Sequence, residues 1–314
     1  MTNNDTARSS KGKGFLWIGL AAGALGGFAA LRRLTTRNQP PTLLETHGES
    51  RTALITGASS GIGAAFARQL APIGYNLILV ARREERLTAF AAELQRRYPI
   101  GTEVLAADLA NAADIERIER RIAELESLDL LINNAGFGAP GQFVEADLTT
   151  QLNMIHVHVV ASVRLTRAAL PGMIARDHGA IINLSSIASL VPIPGSATYS
   201  ASKAYLNVFS EALQAELIGT GVKIQALCPG FTHTGFHDTP EHKGFHRSRI
   251  PEAMWMSAED VVTESLSALD RRQVIFVPGL KNRLVATGAR NMPRSLLPLL
   301  RSNRAPATDD GPAK

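Results

Sequence analysis

The sequence predicts an α/β domain built on a doubly wound parallel sheet. Three observations predict it. Short runs of apolar residues recur along the chain, and they are continuously apolar, as strands buried on both faces must be. Amphipathic segments separate them, the pattern of helical crossovers between parallel strands. A glycine-rich turn, Thr56-Gly57-Ala58-Ser59-Ser60-Gly61-Ile62-Gly63, lies between the first apolar run and the first amphipathic segment. Sheets of this kind place their ligands at such a junction.

Taken in order, residues 1–37 form a tail that contains an apolar stretch. Gly14 to Leu31 carries no charge, and at about 18 residues it just reaches the length of a membrane span. Lys11 and Lys13 precede it, and Arg32, Arg33 and Arg37 follow it. A cleavable signal peptide and a surface-lying helix are rival readings, but Arg32-Arg33 directly after a cleavage point would be awkward. An uncleaved helical anchor is the expectation, with the rest of the chain facing the cytoplasm. Residues 38–50, with Pro40, Pro41 and Gly48, read as a linker.

The folded domain is expected over residues 51–280. Its strands are predicted at Ala53–Thr56, Asn76–Val80, Glu103–Ala107, Leu128–Asn133, Ala180–Leu184, Lys223–Leu227 and Val274–Val277. Its helices are predicted at Ile62–Ile73, Glu84–Arg97, Ala112–Leu125, Leu148–Arg176, Ala197–Gly219 and Ala258–Leu269. Right-handed crossovers then give a single Rossmann-type domain. Residues 281–314 read as a basic C-terminal extension and tail.

The chain has 314 residues, of which 45% are hydrophobic, so disorder throughout is excluded. The net charge of +5 has no run of five or six Lys/Arg behind it, which argues against nucleic acid. It fits an anionic membrane surface or plain solubility. Cys228 is the single cysteine, so no internal disulfide forms; it lies in an apolar run and reads as a buried thiol.

The glycine turn carries the first chemistry. Gly57, Gly61 and Gly63 let the backbone bend and approach a pyrophosphate, while Ser59, Ser60 and Ile62 lead into a helix whose first N–H groups are free. The second strand ends Ala81-Arg82-Arg83, with no carboxylate to hold a ribose 2′-OH. A guanidinium at Arg82 would instead pair with a 2′-phosphate, so NADP(H) is expected over NAD(H); a solvated helix start is the bland alternative. Asp108-Leu109 and Asn133-Asn134-Ala135-Gly136 follow the third and fourth strands, also at ligand-facing ends.

Tyr199 and Lys203 lie four apart on one helix face. A phenol titrates near 10, and a neighbouring ammonium stabilises its anion, so the pair can exchange a proton with a carbonyl or alcohol oxygen. Spacing alone is weak evidence, but Ser185-Ser186 at the end of the fifth strand strengthens it. His233, His237, His242 and His246 lie before the Ala258 helix. Pro240, Gly244 and Pro251 interrupt them and no cysteine joins them, so no metal site is expected. A substrate lid is expected there, with Phe231, Phe236, Phe245, Met254 and Trp255 as apolar contacts.

These motifs together resemble the short-chain dehydrogenase/reductase family over about Arg51 to Gly279. The glycine turn is similar to its TGxxxGxG signature, Asn133 to Gly136 to its NNAG motif, and Tyr199 to Lys203 to its YxxxK pair. The chain looks most like the DltE-type branch, near the 17β-hydroxysteroid dehydrogenase and 3-ketoacyl-CoA reductase enzymes. The resemblance implies Ser186 as the hydroxyl that holds the substrate oxygen, with Ser185 as the near alternative. It implies Asp108, Leu109, Asn134, Ala135, Gly136, Tyr199 and Lys203 beside the cofactor. It also implies Pro229, Gly230, Thr234 and Thr232 on the nicotinamide side.

One departure stands out. Counting back from Leu170-Pro171, the family's fourth catalytic residue, an Asn, falls on His158. An imidazole can replace the Asn in a proton relay and would add a titration near pH 6.5; a packed helix histidine is the alternative. The expected function is NADPH-dependent reduction of an apolar ketone or aldehyde, steroid-like or acyl-linked, by a homo-oligomer. The alternative is a non-catalytic NADP(H)-binding sensor or scaffold on the same fold.

Overall fold

The computed structural model describes residues 51–238, 247, 250–271, 273–291 and 295. The apolar segment at Gly14 to Leu31, Phe245, His242 and His246 lie outside the described residues. Among the described residues, no helix is long and apolar enough to cross a membrane.

Seven parallel strands form the sheet: β1 (Arg51–Thr56), β2 (Tyr75–Ala81), β3 (Thr102–Ala106), β4 (Leu130–Asn133), β5 (Gly179–Leu184), β6 (Val222–Leu227) and β9 (Ile275–Phe276). Their order is β3-β2-β1-β4-β5-β6-β9. Strand order reverses between β1 and β4, which opens a crevice beyond their C-terminal ends, at Thr56 and Asn133.

Alternation along each strand feeds a core on both faces. Ala53 and Ile55 of β1 point to one side, where α1 (Gly61–Leu70), α2 (Glu84–Arg97) and α7 (Ala258–Ala268) pack. Leu54 points to the other, under α3 (Ala112–Ala123) and α5 (Ala161–Ala175). Asn111 caps α3 by accepting the Ala113 N–H at 2.9 Å, and Asp147 caps α4 (Leu148–Ile155) by accepting that of Thr150 at 2.7 Å. Ser257 caps α7 through the Asp260 N–H at 3.0 Å.

The structure differs from the expectation in three places. The long helix predicted over Leu148–Arg176 is α4 and α5 joined by a π-helical segment, His156–Val160. A two-stranded sheet pairs β7 (Thr232–His233) with β8 (Met256–Ser257) and ties together the two ends of the segment expected to be a lid. The described part of the C-terminal extension forms a helix, α8 (Leu280–Arg290), packed on the domain. The remaining helix, α6 (Ala197–Glu216), carries Tyr199 and Lys203.

Candidate active site

The glycine turn is built around Asn134. The Asn134 amide donates to the Thr56 carbonyl at 2.8 Å, and a Cβ on Gly63 would lie 2.5 Å from that same nitrogen. A Cβ on Gly57 would lie 2.7 Å from it. Two of the three glycines are therefore required by the packing of Asn134 against the turn. The Thr56 hydroxyl accepts the N–H groups of Asn134 at 2.9 Å and Ala135 at 3.0 Å, which joins the ends of β1 and β4. Gly57 and Gly61 have φ of +67° and +56°, the left-handed region that glycine enters without strain. The Thr234 side chain packs 3.1 Å from a Cβ position on Gly61, closing the loop after β6 onto the turn.

The residues of the crevice fit a dinucleotide phosphate. The turn leads into the N-terminus of α1, whose first turn holds no acidic residue, with Ile62 seated in the core. The Arg83 guanidinium donates to the hydroxyls of Ser59 at 3.0 Å and Ser60 at 3.3 Å. Arg83 thus lies across the turn, although it is exposed like Arg82 beside it. Burial, then Arg86 and Arg82, lower the Arg83 pKa, as a cluster of like charges must. The sequence reading placed the guanidinium at Arg82; in the structure both arginines are exposed, and it is Arg83 that reaches back to the hydroxyls of the turn.

Asp108 ends its strand in a turn, its carboxylate accepting the Ala110 N–H at 3.0 Å, and the Leu109 side chain is in the core. On the far side of the crevice, the Pro229 carbonyl accepts the Ile187 N–H at 3.0 Å. The Thr232 hydroxyl donates to the Gly230 carbonyl at 3.1 Å. Asn282 of α8 backs Gly230 so closely that a Cβ there would lie 2.4 Å from its Oδ1.

Ser186, Tyr199, Lys203 and His158 come together at the end of β5. The Tyr199 phenol is raised by burial and lowered by a hydrogen bond with the Ser186 hydroxyl. Ser186 Oγ also accepts the Ala188 N–H at 3.1 Å. Lys203 is 3% exposed, donates to the Leu184 carbonyl at 2.7 Å, and is pulled down by burial to about 7. Its nitrogen lies 5.8 Å from the centre of the Tyr199 ring. Ser185, the near alternative to Ser186, is buried and donates to the Lys203 carbonyl at 2.8 Å, so it faces the helix backbone.

His158 sits in the π segment. Nε2 accepts the Phe137 N–H at 3.1 Å, and Nδ1 lies 2.9 Å from the Ser202 hydroxyl. A Cβ on Gly136 would lie 2.8 Å from His158 Nε2 and 3.5 Å from Lys203 Nζ, so the NNAG glycine lets both approach. The expected titration near pH 6.5 does not hold for this ring. Burial first, and Lys203 second, push its pKa well below the ordinary histidine value.

Phe236 packs beside Tyr199, with ring centres 6.0 Å apart. A cavity of about 330 Å³ lies farther out, lined by His233, Arg247, Ile250, Pro251, Glu252 and Trp255. His233 stacks on Trp255 at 4.9 Å and contacts Glu252 at 3.0 Å. Among the described residues no group of His, Cys, Asp or Glu could hold a metal. Cys228 is fully buried and raised to about 11, chiefly by burial.

Comparison with known proteins adds three likenesses and a family model. The model described as short chain dehydrogenase matches residues 51–243. The very-long-chain 3-oxoacyl-CoA reductase of Anas platyrhynchos is 37% identical over 187 residues, 58% of this chain and 60% of that protein. The inactive hydroxysteroid dehydrogenase-like protein 1 of Homo sapiens is 35% identical over 194 residues, 61% of this chain and 58% of that protein. The chain thus spans less than two thirds of the length of either relative. A solved short-chain dehydrogenase from Sphingobium yanoikuyae, in complex with NADPH, superposes with a TM-score of 0.69 at 35% identity, over 81% of this chain and 98% of that one.

Proposed function

The chain belongs to the short-chain dehydrogenase/reductase family, and from that premise we propose that it reduces the carbonyl of an apolar ketone or aldehyde with NADPH. The observation that carries the reading is the meeting of Ser186, Tyr199 and Lys203 at the mouth of a crevice whose other end holds Arg83. When bound, NADPH supplies the hydride. The chain's own groups do the rest. Ser186 and Tyr199 hold the substrate oxygen between two hydroxyls. Tyr199, kept protonated by burial, gives that oxygen its proton as negative charge develops on it. Lys203 lies in the same dry pocket, and Phe236 and Phe137 make the wall apolar.

NADP(H) is favoured over NAD(H) by Arg82, Arg83 and Arg86 around the end of β2, where no carboxylate competes. The residues assigned to the cofactor are Gly57, Ser59, Ser60, Gly61, Ile62, Gly63, Arg82, Asp108, Leu109, Asn134, Ala135, Gly136, Tyr199, Lys203, Pro229, Gly230, Thr232 and Thr234, with Arg83 added. His158 is assigned to holding this site in its neutral form. Residues 14–31 anchor the protein with the domain facing the cytoplasm, where NADPH is available. Exposed Leu148, Leu152 and Val208 support a homo-oligomer.

A second reading has one observation in its favour: a human relative bears the word inactive in its name. On that reading the chain binds NADPH as a sensor or scaffold. Purified protein with NADPH and a broad carbonyl panel decides between them. Consumption of NADPH with any carbonyl supports the reductase; tight NADPH binding with no consumption across the panel supports the scaffold.

A further inference from the structure

Tyr199, Lys203 and Asn207 follow one another at four-residue intervals on one face of α6. Asn207 is a poor choice for a helix interior by propensity, yet it is only 5% exposed, so its amide must be satisfied by protein groups. Both halves of the amide have partners. Nδ2 donates to the Ser189 hydroxyl at 2.7 Å, and Oδ1 accepts from the Cys228 thiol at 3.3 Å. Ser189 in turn donates its own proton to the Ser186 carbonyl. The amide orientation is therefore fixed. Ser189 has spent its one proton and needs a donor, which a flipped amide would not supply; the thiol has the Ala226 carbonyl as a second acceptor at 3.7 Å.

These bonds form a short chain from α6 to the Ile187–Ser189 turn, the turn on which Ser186 is the cap. Pro229 holds the far side of the same turn through the Ile187 N–H, and Ser185 ties the preceding strand end to the Lys203 carbonyl. The link from the turn itself to the helix that carries Tyr199 runs through Asn207. We propose that Asn207 is a positioning residue for the reaction: by holding Ser189 it sets the Ser186 hydroxyl against the Tyr199 phenol. The proposal rests on the roles given above to Ser186 and Tyr199. It predicts that Asn207 matters to turnover only while the Ser186 hydroxyl is present.

A double-mutant cycle on the full-length protein tests this, with kcat for a reduced carbonyl and Kd for NADPH measured in each variant. Asn207→Leu should lower kcat by about 10- to 100-fold, the scale of a misplaced reacting group. Its NADPH Kd should stay within about twofold, because the amide is remote from the glycine turn. In a Ser186→Ala background, adding Asn207→Leu should cost less than about twofold more, since residues acting through one another are not additive. Ser189→Ala breaks the same link from the other end, disturbs packing less, and should behave alike; it replaces Asn207→Leu in the cycle if that variant does not fold. Wild-type kcat in the single variant, or a full additive loss in the double variant, overturns the proposal. Wild-type kcat in Ser186→Ala overturns the reading of Ser186 and the proposal with it; an impaired Ser186→Ala beside an unimpaired Asn207→Leu overturns the proposal alone.

Discussion

His158 Nδ1 lies 2.9 Å from the Ser202 hydroxyl, and this contact fixes the protonation state of the ring. Nε2 already accepts the Phe137 N–H at 3.1 Å, so the one ring proton is on Nδ1 and points to Ser202. Ser202 passes its own proton to the Tyr199 carbonyl at 2.8 Å. A second proton would have to displace the Phe137 N–H from Nε2 and face Lys203 across a dry pocket; burial and Lys203 outweigh the help a Phe137 backbone hydrogen bond would give the charged ring. We therefore predict that His158→Leu lowers turnover without removing any inflection near pH 6.5. An inflection present in the wild type and lost in the variant would restore the relay reading. Stability gives an independent check. The folded pKa is depressed, so below about pH 6.5 the unfolded chain binds a proton that the folded one does not. His158 thus costs stability as pH falls, and the urea midpoint should drop less between pH 7 and 5 in His158→Leu than in the wild type.

Lys203 sets a conflict between stability and chemistry. Its folded pKa of about 7 lies far below the ordinary lysine value of 10.5. Below pH 7 the folded protein must keep an ammonium in a pocket that is 3% exposed; between pH 7 and 10.5 the unfolded chain binds the extra proton, so stability rises with pH across that window. Lys203→Met should therefore melt higher than the wild type at pH 6, each 1 kcal/mol recovered being worth about 2–4 °C. It should also lose most of its turnover. A variant that melts lower at pH 6 would show that the ammonium is better paired than the Leu184 carbonyl alone allows. Tyr199→Phe, which removes only the acid, should cost about 10² to 10⁴ in kcat with NADPH binding retained.

Arg83 and Arg82 are expected to differ in how they affect the choice of cofactor. Both are exposed, but the Arg83 guanidinium donates to the hydroxyls of Ser59 and Ser60. Arg83→Asp should raise the NADPH Kd at least about tenfold more than the NADH Kd, because it replaces a phosphate partner with a repelling charge. Arg82→Asp should show the same preference more weakly. Equal losses for both cofactors in Arg83→Asp would make this arginine a brace for the turn alone.

What the sequence made legible follows from what periodicity can encode. The strands were readable because a strand buried on both faces is apolar at most positions, as Leu54 and Ile55 show by entering opposite cores; Asn183 and Gln225 are buried polar exceptions. Helix α8 was not readable, because its pattern runs against the rule. Asn282 and Ala286 are its buried face, while Leu280 and Leu284 are 50% and 46% exposed. The π segment left no trace either. It changes the hydrogen-bond register by one residue, and the poor helix formers of His156 to Val160 do not mark where the extra residue enters. In the site, Ser186, Tyr199 and Lys203 were visible as a spaced motif. Arg83, Ser202 and Asn207 were not, since each gains its meaning from a partner 24, 44 or 18 residues away in the chain.

The apolar segment at the N-terminus makes a separable prediction. The sheet, the crevice and the groups around Tyr199 are all built from described residues from Arg51 onward. Deleting residues 1–37 should leave kcat and the NADPH Kd unchanged and move the protein from the membrane to the soluble fraction of gently broken cells. Full-length protein already in the soluble fraction would sink the anchor.

Gly63 and Gly288 test whether the turn is built for the fold or for helix flexibility. Both lie in helices, where replacing glycine by alanine ordinarily stabilises by about 0.5–1 kcal/mol. Around Gly288 a Cβ would meet nothing within 4 Å, so Gly288→Ala should follow that rule and melt slightly higher. At Gly63 the new carbon would lie 2.5 Å from both Asn134 Nδ2 and the Gly57 carbonyl oxygen. Asn134 cannot swing aside without giving up its 2.8 Å bond to the Thr56 carbonyl, and Gly57 is backbone. Overpacking of this kind costs about 1–3 kcal/mol, more than the helix gains. Gly63→Ala should therefore melt lower than the wild type despite the better helix former. It should also bind NADPH more weakly, because the shift it forces passes through Gly57 into the turn itself. A Gly63→Ala protein that melts higher and binds NADPH normally would show that Asn134 yields, and that the glycine is not required where it stands.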